Sequence, residues 1–227
     1  MRDRKRINRG SAMLEFTLLI PVWLPLLLGT MWIGTAMVRG LQVTQVARDL
    51  ASMFCRAVDF SATGAGTAQN DILPKLTQEL GTVTSMGTGV VIFSTLTYVG
   101  DSVCALAGSA YHDSSTPPRH TSACTNYGKF VFTQRYTVGN SSLRSSNFGA
   151  PANADRDSTN QYTIALANYV THTADVATFD LLPAPLEDTP NTDGYHSGQP
   201  VYLVEVFFSG TGQVGYTQGG SYAYAIF

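Results

Sequence analysis

An uncharged run near the N-terminus constrains this chain more than any other feature. Residues 16–38 read FTLLIPVWLPLLLGTMWIGTAMV and contain no acidic or basic side chain. In an α-helix each residue adds about 1.5 Å, so the run would span about 34 Å, and the hydrocarbon core of a bilayer is about 30 Å thick. The run therefore predicts a single transmembrane helix.

The charges around this run predict its orientation. Five basic residues precede it: Arg2, Arg4, Lys5, Arg6 and Arg9. Only Arg39 follows it closely. Because cytoplasmic flanks are enriched in Lys and Arg, we expect the N-terminus in the cytoplasm and the chain beyond about residue 40 outside the cytoplasmic membrane.

A secretory signal peptide is the competing interpretation of the run. The apolar region of such a peptide is usually about 7–15 residues long, which is shorter than residues 16–38. The small residues Gly34 and Ala36 are nevertheless compatible with a cleavage site after Ala36. A cut there would leave a secreted protein that begins at Met37.

Outside its N-terminal segment the chain is acidic. The whole chain has 14 Lys+Arg and 16 Asp+Glu, and removing residues 2–9 leaves nine basic and fifteen acidic side chains. This remainder lacks a distributed basic surface for phosphate groups. The composition therefore argues against a nucleic-acid partner.

Glu15 lies just before the uncharged run, at the expected membrane face. An ionised carboxylate there costs several kcal/mol unless a cation neutralises it. If the chain were cut after Gly10, Ser11 would supply a new α-amino group four positions before Glu15. This group could neutralise Glu15 in the same chain or in a neighbouring helix, and the pair would then set the register of assembly. In an uncut chain Glu15 would instead extend to the lipid headgroups.

Together these residues resemble the N-terminus of a known family. A basic leader, Gly10, the small residue Ser11, Glu15 and an apolar helix resemble the type III signal sequence of the type IV pilin superfamily. More narrowly, RGSAMLEFTLLIPVWLPLLLG, residues 9–29, is similar to TadE-like minor pseudopilins of the tight-adherence (Tad) pilus. The resemblance covers about residues 6–60. The later VYLVEVFFSG is only loosely similar to the ending of the family.

The resemblance implies a function in pilus assembly. A prepilin peptidase would cut between Gly10 and Ser11 and methylate Ser11. The processed helix would then join other pilin or pseudopilin subunits at the inner-membrane assembly platform of a pilus used for adhesion or secretion. Major pilins of this system are, by the same resemblance, much shorter, so this chain would be a minor subunit. The alternative is a signal-anchored or secreted binding protein that never enters a filament.

Two prolines interrupt the apolar run. Pro21 and Pro25 lack a backbone N–H, which deprives the carbonyls of Thr17 and Pro21 of their usual helical donors. The sequence therefore predicts a kink or a loosened turn. The hydroxyl of Thr17 is one group that could satisfy a freed carbonyl.

The helical period continues beyond the expected membrane boundary. In LQVTQVARDLASMFCRAVDF, residues 41–60, apolar side chains recur on one stripe and most polar ones lie opposite. The stripe comprises Val43, Val46, Ala47, Leu50, Met53, Phe54 and Ala57. Because such a stripe must be covered, we expect the outer half of the helix to pack against a β-rich head.

The remaining sequence predicts the elements of that head. Residues 71–81, with Pro74 in the first turn and Gly81 as a stop, predict a short helix, and residues 161–179 favour helix over strand. Four runs rich in β-branched and aromatic residues predict strands: 90–99, 129–138, 200–208 and part of 215–227. Long polar loops separate these elements: 100–127, 139–160 and 183–199. Loops of this length are usually functional, displayed or mobile.

These features predict an α+β protein with a pilin-like architecture, in which a long N-terminal transmembrane helix continues into a β-rich extracytoplasmic head. Three regions are expected: a basic leader peptide at 1–10, a transmembrane and assembly helix at 11–60, and the head at 61–227.

The chain has three cysteines. An extracytoplasmic location favours oxidation, so Cys104 and Cys124 are predicted to form a disulfide and Cys55 to remain a free thiol on the helix flank. A zinc site is the alternative, because His112 and His120 lie between the paired cysteines. Their spacing matches no usual zinc pattern, so we predict no metal there.

Two further groups of polar residues have simple interpretations. Asp155, Asp157 and Thr159 faintly match a calcium loop, but Asn160 and Leu166 replace its required glycine and glutamate, which indicates a solvated loop. His172 and Asp175, three positions apart, are interpreted as a surface pair.

The sequence carries no familiar catalytic motif. It has no Gly-x-Ser-x-Gly elbow, phosphate-binding loop, dinucleotide fingerprint or paired-histidine zinc helix. We therefore expect a protein that is not an enzyme and needs no cofactor.

Overall fold

The computed structural model describes residues 9–107, 110–111, 119–120, 123–179, 197–210 and 219–227. Its first element is a 47-residue α-helix, α1 (Arg9–Cys55). The chain divides into two compact units, Met1–Leu41 and Gln42–Phe227.

The first unit contains the apolar part of α1. Within the described residues, one helix is long and apolar enough to cross a membrane, and the most apolar window of this helix is not buried by the rest of the protein. The large apolar side chains here are exposed, from 41% for Ile20 to 78% for Met13. The helix is therefore a candidate membrane anchor, as the uncharged run predicts.

The second unit combines short helices with strands in chain order. The helices are α2 (Ala68–Asp71), α3 (Leu73–Thr77), α4 (Asp101–Leu106) and α5 (Leu166–Thr171). The strands are β1 (Gly89–Tyr98), β2 (Ala110–Tyr111), β3 (Arg119–His120), β4 (Phe130–Gly139), β5 (Arg156–Asp157), β6 (Thr163–Ile164), β7 (Pro200–Phe208) and β8 (Ser221–Ile226).

Six of the described strands form one antiparallel sheet in the order β5-β6-β4-β1-β7-β8. The central strand β1 is buried along its whole length. In its two ladders Phe93 pairs with Tyr136 of β4 and with Val204 of β7. The helix followed by an antiparallel sheet confirms the α+β prediction, and β1, β4, β7 and β8 confirm the four predicted strands.

One face of this sheet packs against the part of α1 that belongs to the second unit. Phe54 meets Phe93 edge-on with ring centroids 5.3 Å apart, and Phe60 stacks on Phe93 at 4.9 Å. The buried stripe comprises Val43, Val46, Ala47, Leu50, Ala51 and Phe54. The predicted stripe is thus covered by the sheet, although Ala57 is exposed beyond the end of the helix and Ala51 takes part instead.

The opposite face is covered by the described part of the segment that follows β4, residues 140–179. Phe148 packs with Phe132 and Leu203 in a second apolar cluster, which also contains Phe179. Residues 139–160, predicted as a displayed or mobile loop, therefore bury one of their own aromatic side chains against the sheet.

Three predictions about individual elements differ from the structure. Residues 161–179 are not one helix, because they contain β6, the six-residue α5 and a 3₁₀ turn at Thr173–Asp175. Helix α3 ends at Thr77, before Gly81. The loop at 100–127 contains α4 and the β2–β3 pair. Residues 183–196 of the third loop lie outside the described residues.

Candidate functional sites

The predicted processing and assembly residues lie at the start of α1. Gly10 and Ser11 belong to its first turn, which begins at Arg9. Glu15 follows one turn later with an exposed side chain. From Phe16 to Val38 the helix carries no charged side chain, so Glu15 is the acidic group at the edge of a long apolar surface.

The exposed apolar surface of this unit needs a nonaqueous neighbour. Leu18 is 70% exposed and Trp23 is 69% exposed. Leaving such side chains in water costs about 25 cal/mol for each Å² of apolar surface. Patches this extended on soluble proteins mark sites of membrane or protein contact. The surface therefore suits lipid or other apolar helices.

The two prolines lie inside the helix. Pro21 and Pro25 are both within α1. The hydroxyl of Thr17 donates a 2.8 Å hydrogen bond to the carbonyl of Met13. The expectation that this hydroxyl satisfies a carbonyl freed by proline is therefore wrong, because the hydroxyl reaches the preceding turn instead. The kink at the prolines stays a prediction.

A family comparison identifies this N-terminal region. Residues 10–52 match the model of a family described as TadE-like protein. This segment of the chain is TadE-like. The TadE-like segment begins at Gly10 and includes Glu15, and it ends near Cys55, the last residue of α1. The match confirms the TadE-like resemblance for this segment, and it supports an association of the chain with a Tad pilus.

The TadE-like match does not extend over the sheet of the second unit, which begins at β1. Comparison of the chain with curated proteins and with solved structures gave no significant match. No activity of the head follows from these comparisons.

The predicted disulfide is present in the head. Cys104 of α4 bonds to Cys124, and both side chains are buried. Because both thiols are used in this bond, they do not ligate a metal, and His112 lies outside the described residues. Cys55 is a free thiol, and its Sγ lies 3.2 Å from the carbonyl of Ser52.

The segment after β4 brings together three side chains that the sequence analysis did not combine. Asp155 ends a 3₁₀ turn, Asn153–Asp155, while His172 directly follows α5 and Asp175 ends the next 3₁₀ turn. One potential ligand atom from each of the three lies within 4.8 Å of the other two. His172 Nδ1 is 2.9 Å from Asp155 Oδ2.

The electrostatics of this cluster follow from burial and pairing. The hydrogen bond with Asp155 raises the pKa of His172 above its ordinary value. Burial raises the pKa of Asp175, which is completely inaccessible to solvent. The interpretation of His172 and Asp175 as a surface pair is therefore wrong, because Asp175 is buried. The hydrogen-bond partner of the His172 imidazole is Asp155, which is farther away in sequence.

Asp157 and Thr159 are exposed, as the sequence predicts for a solvated loop, whereas the side chain of Asp155 from the same predicted loop is only 10% exposed. Asp157 Oδ1 accepts hydrogen bonds from the backbone N–H of Thr159 at 2.9 Å and from its hydroxyl at 2.6 Å. These bonds lower the pKa of Asp157, with the hydroxyl as the largest cause. The carboxylate is exposed and closes a local turn, as expected of a solvated loop.

A second polar group lies under the loop that follows β4. The sequence analysis did not predict this group either. Glu205 of β7 is 1% exposed. Its carboxylate accepts hydrogen bonds from the Ser146 hydroxyl, from the Asn147 N–H at 3.1 Å and from the Tyr222 hydroxyl at 2.7 Å. Through these three hydrogen bonds Glu205 joins the loop after β4 to strands β7 and β8. Its negative charge also acts on Arg135: burial lowers the pKa of Arg135 to about 10, and the charge of Glu205 opposes this shift.

Proposed function

We propose that this chain is a minor pilin or pseudopilin subunit of a Tad-type (type IVc) pilus, which a prepilin peptidase cleaves between Gly10 and Ser11. One observation carries the proposal: the TadE-like match begins at Gly10, on a helix whose following apolar surface is exposed. A peptidase acting at this position would leave Ser11 as the first residue and Glu15 as the fifth.

Charge explains why these positions matter. An ionised Glu15 beside residues 16–38 is costly in a bilayer without a cation. Cleavage creates a positively charged α-amino group at Ser11. In a bundle of such helices, this group on one subunit can pair with Glu15 of its neighbour only when the two helices are displaced along their axes by the matching distance. The pairing selects the assembled arrangement, and the exposed leucines and tryptophans supply the apolar contacts.

The head is proposed to lie outside the cytoplasmic membrane. The basic residues before the helix favour a cytoplasmic N-terminus, and the disulfide between Cys104 and Cys124 suits an oxidising compartment. Residues 1–10 then act as the leader, residues 11–60 as the transmembrane and assembly helix, and residues 61–227 as the head. Such a large head suits a subunit that primes, caps or decorates the filament. Its partners are the peptidase, other pilin subunits and the inner-membrane assembly platform.

The N-terminal peptide mass of the protein purified from its native membrane tests the proposal. We expect a mature start at Ser11 that carries one additional methyl group. The matched variant Gly10→Leu, which places a bulky side chain at the cut, should remain uncleaved. A start at Met1 would overturn the processing step and indicate a signal anchor. A start at Met37 would indicate a secreted protein.

A further inference from the structure

The cluster formed by Asp155, His172 and Asp175 has the spacing of a metal centre. His172 Nδ1 and Asp155 Oδ2 are 2.9 Å apart. Two ligands that each lie about 2.1 Å from one cation are about 3.0 Å apart at adjacent octahedral positions and about 3.4 Å apart in a tetrahedral site, so a bound ion would need only a small widening of this pair. The third carboxylate contributes an atom within 4.8 Å of the other two. One imidazole nitrogen and two carboxylate oxygens are therefore already close enough to share one ion.

Asp175 supplies the observation that points to a ligand. Its side chain is fully buried, and Oδ1 accepts a 3.1 Å hydrogen bond from the N–H of Ala152. The other oxygen, Oδ2, is buried and accepts no hydrogen bond from a donor among the described residues. The Asp175 carboxyl also lies within hydrogen-bond range of the Asp155 carboxyl, an arrangement that needs either a shared proton or a cation. Buried polar atoms are nearly always satisfied, and a carboxylate oxygen left without a partner is costly. A cation within the cluster would satisfy it.

The surrounding contacts orient the donors as a second coordination shell does. Asn168 Nδ2 donates a 3.2 Å hydrogen bond to Asp155 Oδ1, which leaves Oδ2 toward His172. Ala152 holds Asp175 in the corresponding way, through Oδ1. Such outer contacts are characteristic of metal ligands, because they limit the rotation of each donor group.

The cluster is also accessible from solvent on one side. The side chain of His172 is 49% exposed and that of Asp155 is 10% exposed. An ion can therefore enter past the imidazole, while the buried carboxylate forms the floor of the site. Water can complete the coordination on the exposed side.

We propose that Asp155, His172 and Asp175 bind a divalent transition-metal cation on the head, and that Zn²⁺ is the ion their chemistry favours. One imidazole nitrogen with two carboxylate oxygens suits Zn²⁺ better than Ca²⁺ or Mg²⁺, which prefer oxygen ligands alone. The site is independent of the proposed processing at Gly10, since it lies entirely within the second unit.

Calorimetric titration with Zn²⁺ tests the site in the full chain. The protein is purified in detergent without a histidine tag, freed of metal with a chelator and then exchanged into chelator-free buffer. A Cys55→Ser background removes the free thiol as a competing ligand. His172→Gln and Asp175→Asn each delete one donor, and Asp157→Asn removes a nearby carboxylate that lies outside the cluster.

The site predicts a clear separation among these variants. His172→Gln and Asp175→Asn should each weaken Zn²⁺ binding by about tenfold or more. Asp157→Asn should bind within about twofold of the parent. Because His172 is exposed, His172→Gln decides the question even if replacing the buried Asp175 impairs folding. Equal affinity in the parent and His172→Gln would overturn the proposal, and it would indicate that the cluster shares protons only or that zinc binds elsewhere.

Discussion

The Tyr222 hydroxyl donates a 2.7 Å hydrogen bond to Glu205 Oε1. This contact links edge strand β8 to a buried carboxylate on β7. The guanidinium carbon of Arg144 lies 4.0 Å from the centroid of the Tyr222 ring, so the guanidinium packs over this ring. The side chain of Tyr222 therefore serves two purposes: its hydroxyl satisfies Glu205, and its ring contacts the loop after β4.

Tyr222→Phe should lower the free energy of unfolding of the head by about 1.5–2 kcal/mol. The substitution removes a hydrogen bond to a buried charge and keeps the ring under Arg144. Tyr224→Phe is the matched control on the same strand, because Tyr224 is 42% exposed, and it should cost less than about 0.5 kcal/mol. Denaturant unfolding of the full chain in detergent gives both values. Equal losses in the two variants would show that the hydroxyl of Tyr222 contributes nothing specific.

Removing the disulfide should destabilise the head by about 3 kcal/mol. The bond between Cys104 and Cys124 closes a segment with a sequence separation of 20, and such a closure restricts the unfolded chain. The double variant Cys104→Ala/Cys124→Ala tests this by unfolding. Cys55→Ala is the control and should cost less than about 1 kcal/mol, since it breaks no cross-link.

Alkylation of the denatured protein checks the pairing directly. Mass spectrometry should find one modified cysteine before reduction and all three cysteines modified after it. Three modified cysteines before reduction would contradict the disulfide.

Gly139→Ala should destabilise the head more than the same substitution at a glycine that has a positive φ but open space around it. Gly139, at the end of β4, has φ of +96°, and a Cβ there would lie 2.4 Å from the carbonyl oxygen of Gly89. We expect a loss of about 3 kcal/mol from backbone strain and steric overlap. Gly66 has φ of +81° with open space around it, so Gly66→Ala isolates the strain alone at about 1 kcal/mol. Thermal unfolding of both variants measures the difference between their losses of stability. Equal losses would show that the overlap with Gly89 is relieved at no cost in free energy.

Glu15→Leu should block entry of the subunit into the filament while leaving its amount in the membrane largely unchanged. The reason is that the substitution removes the charge proposed to pair with the Ser11 amino group, and it keeps the helix apolar. Glu15→Gln retains the polarity without the charge and should fail in the same way. Quantitative immunoblots of sheared pili and of membranes measure both fractions. Normal incorporation of Glu15→Leu would favour the anchored binding protein instead.

The imidazole of His172 should titrate above its ordinary pKa of about 6.5 in metal-free protein. Its raised pKa comes first from the hydrogen bond with Asp155. Since the folded pKa exceeds the unfolded value, the pair contributes its full stability below about pH 6.5 and loses it as the pH rises through the folded pKa. NMR titration in chelator-containing buffer should show the pKa falling in Asp155→Asn. The control Asp157→Asn should leave it unchanged, and an unshifted pKa in the wild type would contradict the pairing.

The sequence predicts the helix and the sheet because both depend on local periodicity. Residues 16–38 lack charge, the stripe from Val43 to Phe54 has the helical period, and β1, β4 and β7 are rich in β-branched and aromatic residues. Family resemblance adds Gly10 and Glu15, which no periodicity singles out.

The polar sites could not be predicted in the same way, because their residues are distant in sequence. Glu205 meets Ser146 and Tyr222 only after β7 and β8 have paired and the loop after β4 has folded over the sheet. Asp155 reaches His172 only because the chain reverses through β6 and α5. A buried glutamate in the middle of an apolar strand, PVYLVEVFF, was the one signal that could have indicated a polar network.

The order of strands in the sheet also sets the time at which this protein can fold. Strand β1 needs β7 as a neighbour, and the ribosome makes β7 about 100 residues later, which takes about 5–20 s at about 5–20 residues per second. Throughout that interval Phe93 and the stripe on α1 lack the side chains of Val204 and Val206 that cover them in the finished head. The emerging chain therefore exposes an apolar helix face and an open strand edge until its last strands arrive, and both must be kept from pairing with other chains during that interval.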